Sequence, residues 1–166
     1  MQTSAIPDYH QILRILTGHG VAFIVVGGVS AVIQGAPYTT FDLDVVHDRS
    51  PENISRLLAA FAELEAYYRT NPEKRTKPEA SHLSSSGHQR LTTRLGYLDV
   101  LGMIGRQREY GDLLPHTIEM DIGEGVKIIV LDLETLIHVK EEAAAEKDQA
   151  VLPLLRRTLE ERKKRS

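Results

Sequence analysis

The sequence predicts an α/β domain that ends in helices. Three observations carry this: a continuous, β-branched run at residues 21–26 that stops at two glycines, an alternation of helical and strand periodicity after it, and amphipathic stretches at the end of the chain. With 166 residues the chain is most simply one domain, long enough to bury a substantial core. Hydrophobic residues make up 42% and charged residues 26%, the balance of an ordinary globular protein. The absence of Cys excludes disulfides, thiolate metal sites and Cys nucleophiles. A net charge of −3 argues against a globally basic nucleic-acid binder. No segment approaches the ~20 apolar residues of a membrane span, and residues 1–10 lack the basic and apolar regions of a signal peptide. The expected location is the cytoplasm, with no membrane partner.

The elements follow in order. Pro7-Asp8 supplies a helix start, Ile12, Leu13 and Leu16 recur at helical spacing, and Gly18 and Gly20 stop the segment. Residues 21–26 read as a strand buried on both faces. Residues 29–34 form a short helix closed by Gly35. Residues 39–47 alternate: Phe41, Leu43 and Val45 fall on the core side, and Thr40, Asp42 and Asp44 on the other. Ser50-Pro51-Glu52 opens a helix with cap, first-position Pro and first-turn acid, and Ile54, Leu57, Leu58, Phe61 and Leu64 form its apolar stripe. Residues 69–87 are poor in apolar residues and read as a mobile loop or lid within the domain. Strand pairs are expected at 89–94 with 98–101 and at 117–122 with 126–130, separated by a helical turn at 106–114. The chain closes with two helices, the second started or kinked by Pro153. This divides it into a core at 1–131, with the loop at 69–87, and C-terminal helices at 132–166 packed on that core.

Chemistry concentrates in Gly27-Gly28, Gly35 and Asp42-Leu43-Asp44. In a strand, residues i and i+2 lie about 7 Å apart and project the same way. Asp42 and Asp44 therefore share one face. Two anions at close approach repel by about 4 kcal/mol at an effective dielectric near 20. A divalent cation resolves that repulsion, and carboxylate oxygens are what Mg²⁺ prefers. A buried strand that runs into Gly-Gly and then a helix lets bare backbone approach a ligand and aims helix N–H groups at an anion. Side by side, the two features describe a phosphate site beside a metal. The seven histidines show no metal-ligand spacing. The tail from Arg156, with a net charge of +4, reads as a solvated helix end.

Gly27-Gly28, a short helix, Gly35 and then Thr40-Phe41-Asp42-Leu43-Asp44 resemble the polymerase-beta-like nucleotidyltransferase superfamily. Its small prokaryotic branch, which includes the nucleotidyltransferases of type IV toxin–antitoxin systems, is the nearer match. The resemblance implies a mixed sheet flanked by helices with a C-terminal helical segment. It also implies a third aspartate on a later strand, here Asp99 in Gly96-Tyr-Leu-Asp99-Val-Leu. Asp42, Asp44 and Asp99 would then be catalytic and hold Mg²⁺ or Mn²⁺. Gly27, Gly28, Thr40, Arg90, Arg94 and Lys140 would bind the NTP. Lys147-Asp148 matches a Lys-Asp pair that opens the branch's last helix. The chain departs from the pattern at Gly28, where many members carry Ser, at Tyr38, where the branch often has Arg, and at Ala145-Glu146, where it often has Gly-Arg-Pro.

The implied activity is transfer of a nucleotidyl group from an NTP to an acceptor hydroxyl on RNA, protein or a small molecule, an antibiotic included, with an antitoxin-type protein as a further partner. The competing reading is a non-catalytic module that keeps the fold and binds nucleotide or protein. Retention of three clustered carboxylates favours the enzyme, because a scaffold gains nothing from them.

Overall fold

The structure is a computed structural model that describes residues 7–143 and 145–165. A seven-stranded mixed sheet runs β3 (Tyr67–Tyr68), β4 (His88–Thr93), β5 (Gly96–Leu101), β2 (Asp42–His47), β1 (Phe23–Val26), β7 (Lys127–Leu131), β6 (Thr117–Asp121). β2 with β5 and β1 with β7 are parallel, and the remaining neighbours are antiparallel. β1 lies in the interior of the sheet, and all four of its residues are buried. That is why its sequence is continuously apolar rather than alternating.

Helices cover both faces. On the first face lie α1 (Tyr9–Gly18) and α3 (Pro51–Leu64). Asp8 caps α1 by accepting from the Gln11 amide at 3.0 Å, and Ser50 caps α3. Ile12, Leu13, Leu16, Leu57 and Leu64 pack there against Val25, Leu43, Val45, Leu98 and Val100. The second face carries α2 (Gly27–Ile33), α6 (Leu133–Glu142) and α7 (Glu146–Arg165). Leu133, Leu136, Ile137, Leu152 and Leu155 share one apolar cluster with Ile24, Val26 and Val46. The C-terminal helices thus complete the core beside β1, while Arg90 and Tyr97 on the same face of β4 and β5 stay exposed. Among the described residues no helix is long and apolar enough to cross a membrane.

Some expectations need correction. Phe41 is 69% exposed instead of buried beside Leu43. The chain bends at Phe41 ahead of β2, which starts at Asp42, so the strand alternation that buries Leu43 does not include it. The segment 69–87 is not a featureless loop: it contains α4 (Ala80–Ser84), whose Leu83 is fully buried in the first-face core. The Leu83 carbonyl also lies 2.7 Å from His47 Nε2. The turn expected at 106–114 is shorter, an α5 at Tyr110–Leu113 followed by a 3-10 turn at Leu114–His116. Pro153 does not start α7, which begins at Glu146 and continues through the proline on its exposed side.

Gly18 closes α1 with no atom within 4 Å of the place a Cβ would occupy. Its φ is not in the left-handed region, so alanine fits without strain. Gly18→Ala is expected to raise stability by about 0.4–1 kcal/mol through reduced unfolded-state entropy, read as a higher melting temperature.

Candidate active site

The site begins where β1 becomes α2 without a linker. Gly27 has φ +70, a conformation that L side chains rarely adopt. A Cβ there would stand 2.3 Å from Asp44 Oδ2, so the backbone passes against the carboxylate as only glycine allows. A Cβ on Gly28 would meet Thr40 Oγ1 at 2.8 Å and the Tyr38 hydroxyl at 3.1 Å. The diglycine is thus enclosed by Asp44, Thr40 and Tyr38. No side chain caps the first N–H groups of α2.

Strand register assembles the rest. Val26 pairs with Asp44 across β1 and β2, Asp44 with Asp99 across β2 and β5, and Arg90 with Asp99 across β4 and β5. The Arg69 amide, just past β3, donates to the Arg90 carbonyl at 3.0 Å and extends the same row. Paired residues project to one face. A lateral row Asp44, Asp99, Arg90, Arg69 therefore crosses the sheet, with Asp42 and Tyr97 paired one step along. Two anions stand next to two cations.

Burial and mutual repulsion dominate the electrostatics. Asp44 is pushed up to about 7, first by burial, then by Asp99 and Asp42, with Lys140 pulling the other way. A hydrogen bond between the Asp44 and Asp99 carboxyl groups adds to the rise. Asp99, 9% exposed, is also raised, by burial first, against the opposing pull of Arg69. The repulsion is opposed on one side by Lys140 and on the other by the Arg69 guanidinium. Tyr9 is raised to about 12 by burial and by Asp42 and Asp44, and its hydroxyl donates to the Thr40 carbonyl at 3.0 Å. Burial and Asp44 raise Tyr38 as well. These phenols remain protonated donors beside the carboxylates.

Arg69 closes the outer side. Its Nη2 donates to Asp99 Oδ1, and its Nη1 lies 3.8 Å from Asp42 Oδ1. Its guanidinium carbon stands 4.4 Å from the centre of the Tyr97 ring. On the opposite side Lys140 Nζ donates to Asp148 Oδ1 at 2.7 Å while its charge acts on Asp44.

A divalent cation suits this donor set by chemistry. Three carboxylates project from two adjacent strands, and the missing Cβ at Gly27 lets the Asp44 carboxylate lie against the turn. Among the described residues no three acidic or His groups are already gathered at ligand spacing. Arg69 lies between Asp42 and Asp99, and Asp44 stands opposite Asp99 in register. The donor chemistry fits a divalent ion, while the carboxylates stand wider than ligand spacing with a guanidinium against two of them.

No family model and no curated protein matches the sequence. Solved structures do. A lincosamide antibiotic adenylyltransferase, LnuA, crystallised with lincomycin bound, superposes with a TM-score of 0.58 at 13% identity, over 89% of this chain and 94% of that one. The fold is that of the nucleotidyltransferases. A Thermotoga maritima protein provisionally assigned as a nucleotidyltransferase agrees, with a TM-score of 0.51 at 19% identity, over 95% of this chain and 88% of the other. The mixed sheet flanked by helices, expected from the resemblance, is the observed architecture.

On this nucleotidyltransferase fold, Asp42, Asp44, Asp99, Gly27, Gly28 and Thr40 lie together. The charges of Arg90 and Lys140 reach the carboxylates. Arg94 does not join them. β4 ends at Thr93, so the two-residue alternation stops one position short, and Arg94 Nε donates to the Glu63 carbonyl at 3.0 Å, beside the end of α3. Arg69, Tyr9 and Tyr38 belong to the site and were not among the expected nucleotide-binding residues. β3 has only two residues, too few for alternation to mark Arg69 as a sheet residue.

Proposed function

We propose that the chain is a divalent-metal-dependent nucleotidyltransferase that moves an NMP group from an NTP to a hydroxyl of a small-molecule acceptor. The observation that carries this reading is the in-register pairing of Asp44 with Asp99, with Asp42 two residues along and the Gly27 backbone against Asp44. The fold supports it, and the lincomycin bound in LnuA supports the choice of a small-molecule acceptor.

Asp42, Asp44 and Asp99 would hold the metal, which when bound neutralises phosphate charge and lowers the cost of the attacking and leaving oxygens. The acceptor oxygen bonds to the α-phosphorus, the bond from that phosphorus to the bridging oxygen breaks, and pyrophosphate leaves. Asp99, raised by burial, is suited to accept the acceptor's proton. Lys140 and Arg90 supply cationic contacts for the phosphates, and the diglycine turn admits them close to the backbone. Exposed Phe41 and Tyr97 flank Asp42 and offer rings for a base or an acceptor.

Incubation with α-labelled and γ-labelled forms of each of the four NTPs, Mg²⁺ or Mn²⁺, and a panel of hydroxylated antibiotics tests the reading. Label is expected in the acceptor from the α position alone. Asp99→Asn is expected to slow transfer at least about 100-fold. No transfer from any nucleotide with either metal would leave the fold as a binding module.

A further inference from the structure

The row of charges across the sheet contains one residue whose bonding is incomplete. Arg69 Nη2 donates to Asp99 Oδ1, yet Arg69 Nη1 is buried and has no hydrogen-bond partner among the described residues. Asp42 Oδ1 lies 3.8 Å from it, outside hydrogen-bond reach. A buried donor without an acceptor costs free energy, and an arginine that served only to brace the sheet would satisfy both arms of its fork. The guanidinium is instead laid over Tyr97 and suspended between two carboxylates that belong to different strands. Its anchorage is light. The Arg69 amide makes one sheet bond to Arg90, β3 ahead of it is two residues long, and residues 70–77 after it are exposed.

We propose that Arg69 is a displaceable internal counter-cation: it neutralises Asp99 and Asp42 while the site lacks a divalent ion, and moves to the nucleotide's phosphate oxygens when metal and nucleotide bind together. This rests on the reading of Asp42, Asp44 and Asp99 as metal ligands. Two consequences follow. The ion and Arg69 compete for Asp99 Oδ1, so metal alone binds weakly. Nucleotide supplies the acceptor that Arg69 Nη1 lacks, so metal and nucleotide help each other to bind, reciprocally as linkage requires. Arg90 does not substitute, because its side chain lies exposed beside Asp99 and does not bridge to Asp42. Arg69 is thus a positioning residue in the empty site and a phosphate contact in the loaded one.

Mn²⁺ titration followed by paramagnetic resonance, with and without a non-hydrolysable NTP analogue, tests this on wild type, Arg69→Gln, Arg69→Lys and Asp44→Asn. Arg69→Gln is expected to bind Mn²⁺ alone about tenfold more tightly than wild type and to lose most of the gain that nucleotide confers. Arg69→Lys keeps the charge without the fork and is expected between the two. If Arg69→Gln fails to fold, tighter Mn²⁺ binding by Arg69→Lys than by wild type supports the inference in its place. Equal or weaker Mn²⁺ binding by the folded Arg69 variants overturns the inference. The ligand assignment then still stands, provided that Asp44→Asn abolishes binding. Mn²⁺ binding by none of the proteins removes the ligand assignment and the inference together.

Discussion

Asp44→Asn is expected to abolish metal-dependent nucleotide binding and, at the same time, to make the metal-free protein more stable above neutral pH. The two effects have one cause. Asp44 is raised from 3.8 to about 7 in the fold, first by burial and then by its aspartate neighbours. Between those values the folded state binds more protons than the unfolded state, so stability falls as pH rises. Above about 7 the penalty of a buried, repelled carboxylate is present in full, on the order of a few kcal/mol. Asparagine keeps the shape and removes the charge. The wild-type melting temperature is therefore expected to drop between pH 5 and 8 in chelator, while the variant's curve stays flatter and about 3–10 °C higher at the alkaline end. Excess Mn²⁺ with nucleotide raises the wild-type melting temperature and leaves the variant unmoved. A variant less stable than wild type at pH 8 would show that Asp44 is a structural partner instead of a strained ligand.

Gly27→Ala carries the second large effect. A Cβ at this position stands 2.3 Å from Asp44 Oδ2 at a φ of +70, so the substitution meets steric and backbone penalties together. The left-handed conformation costs roughly 1–2 kcal/mol and overpacking a further 1–3 kcal/mol. Denaturant unfolding is expected to show a loss of about 2–5 kcal/mol, with Mn²⁺ binding impaired in whatever folds. Gly28→Ala, which lacks the positive φ and meets the Thr40 side chain, is expected to lose less. Gly27→Ala at wild-type stability would mean that the turn does not press on Asp44 as described.

Much of the site was legible because its signals are local. The apolar run of β1, the two glycines after it and the alternation of Asp42 and Asp44 about Leu43 each depend on a few consecutive residues. Asp99 stood out as a carboxylate inside an apolar strand, and the parallel register of β2 and β5 sets it opposite Asp44. The helix at Pro51–Leu64 was equally plain from its cap and stripe. What stayed hidden depends on where strands stop and what lies beside them. Phe41 looked like a core residue because alternation was carried one step beyond the start of β2. Arg94 looked like a partner of Arg90 because it was carried one step beyond the end of β4. Arg69 looked like part of a loop because its strand has two residues and its importance comes from Asp99 and Tyr97, both distant in sequence. Helix α4 was missed because five residues are too few to show a period.

Crystals of the wild-type protein soaked with Mn²⁺ and a non-hydrolysable NTP analogue give the most direct answer, through anomalous scattering from the metal. The expected map places a peak about 2.1 Å from carboxylate oxygens of Asp42, Asp44 and Asp99, with the phosphates over Gly27. A peak elsewhere, or a nucleotide bound with no metal at these aspartates, would contradict the account.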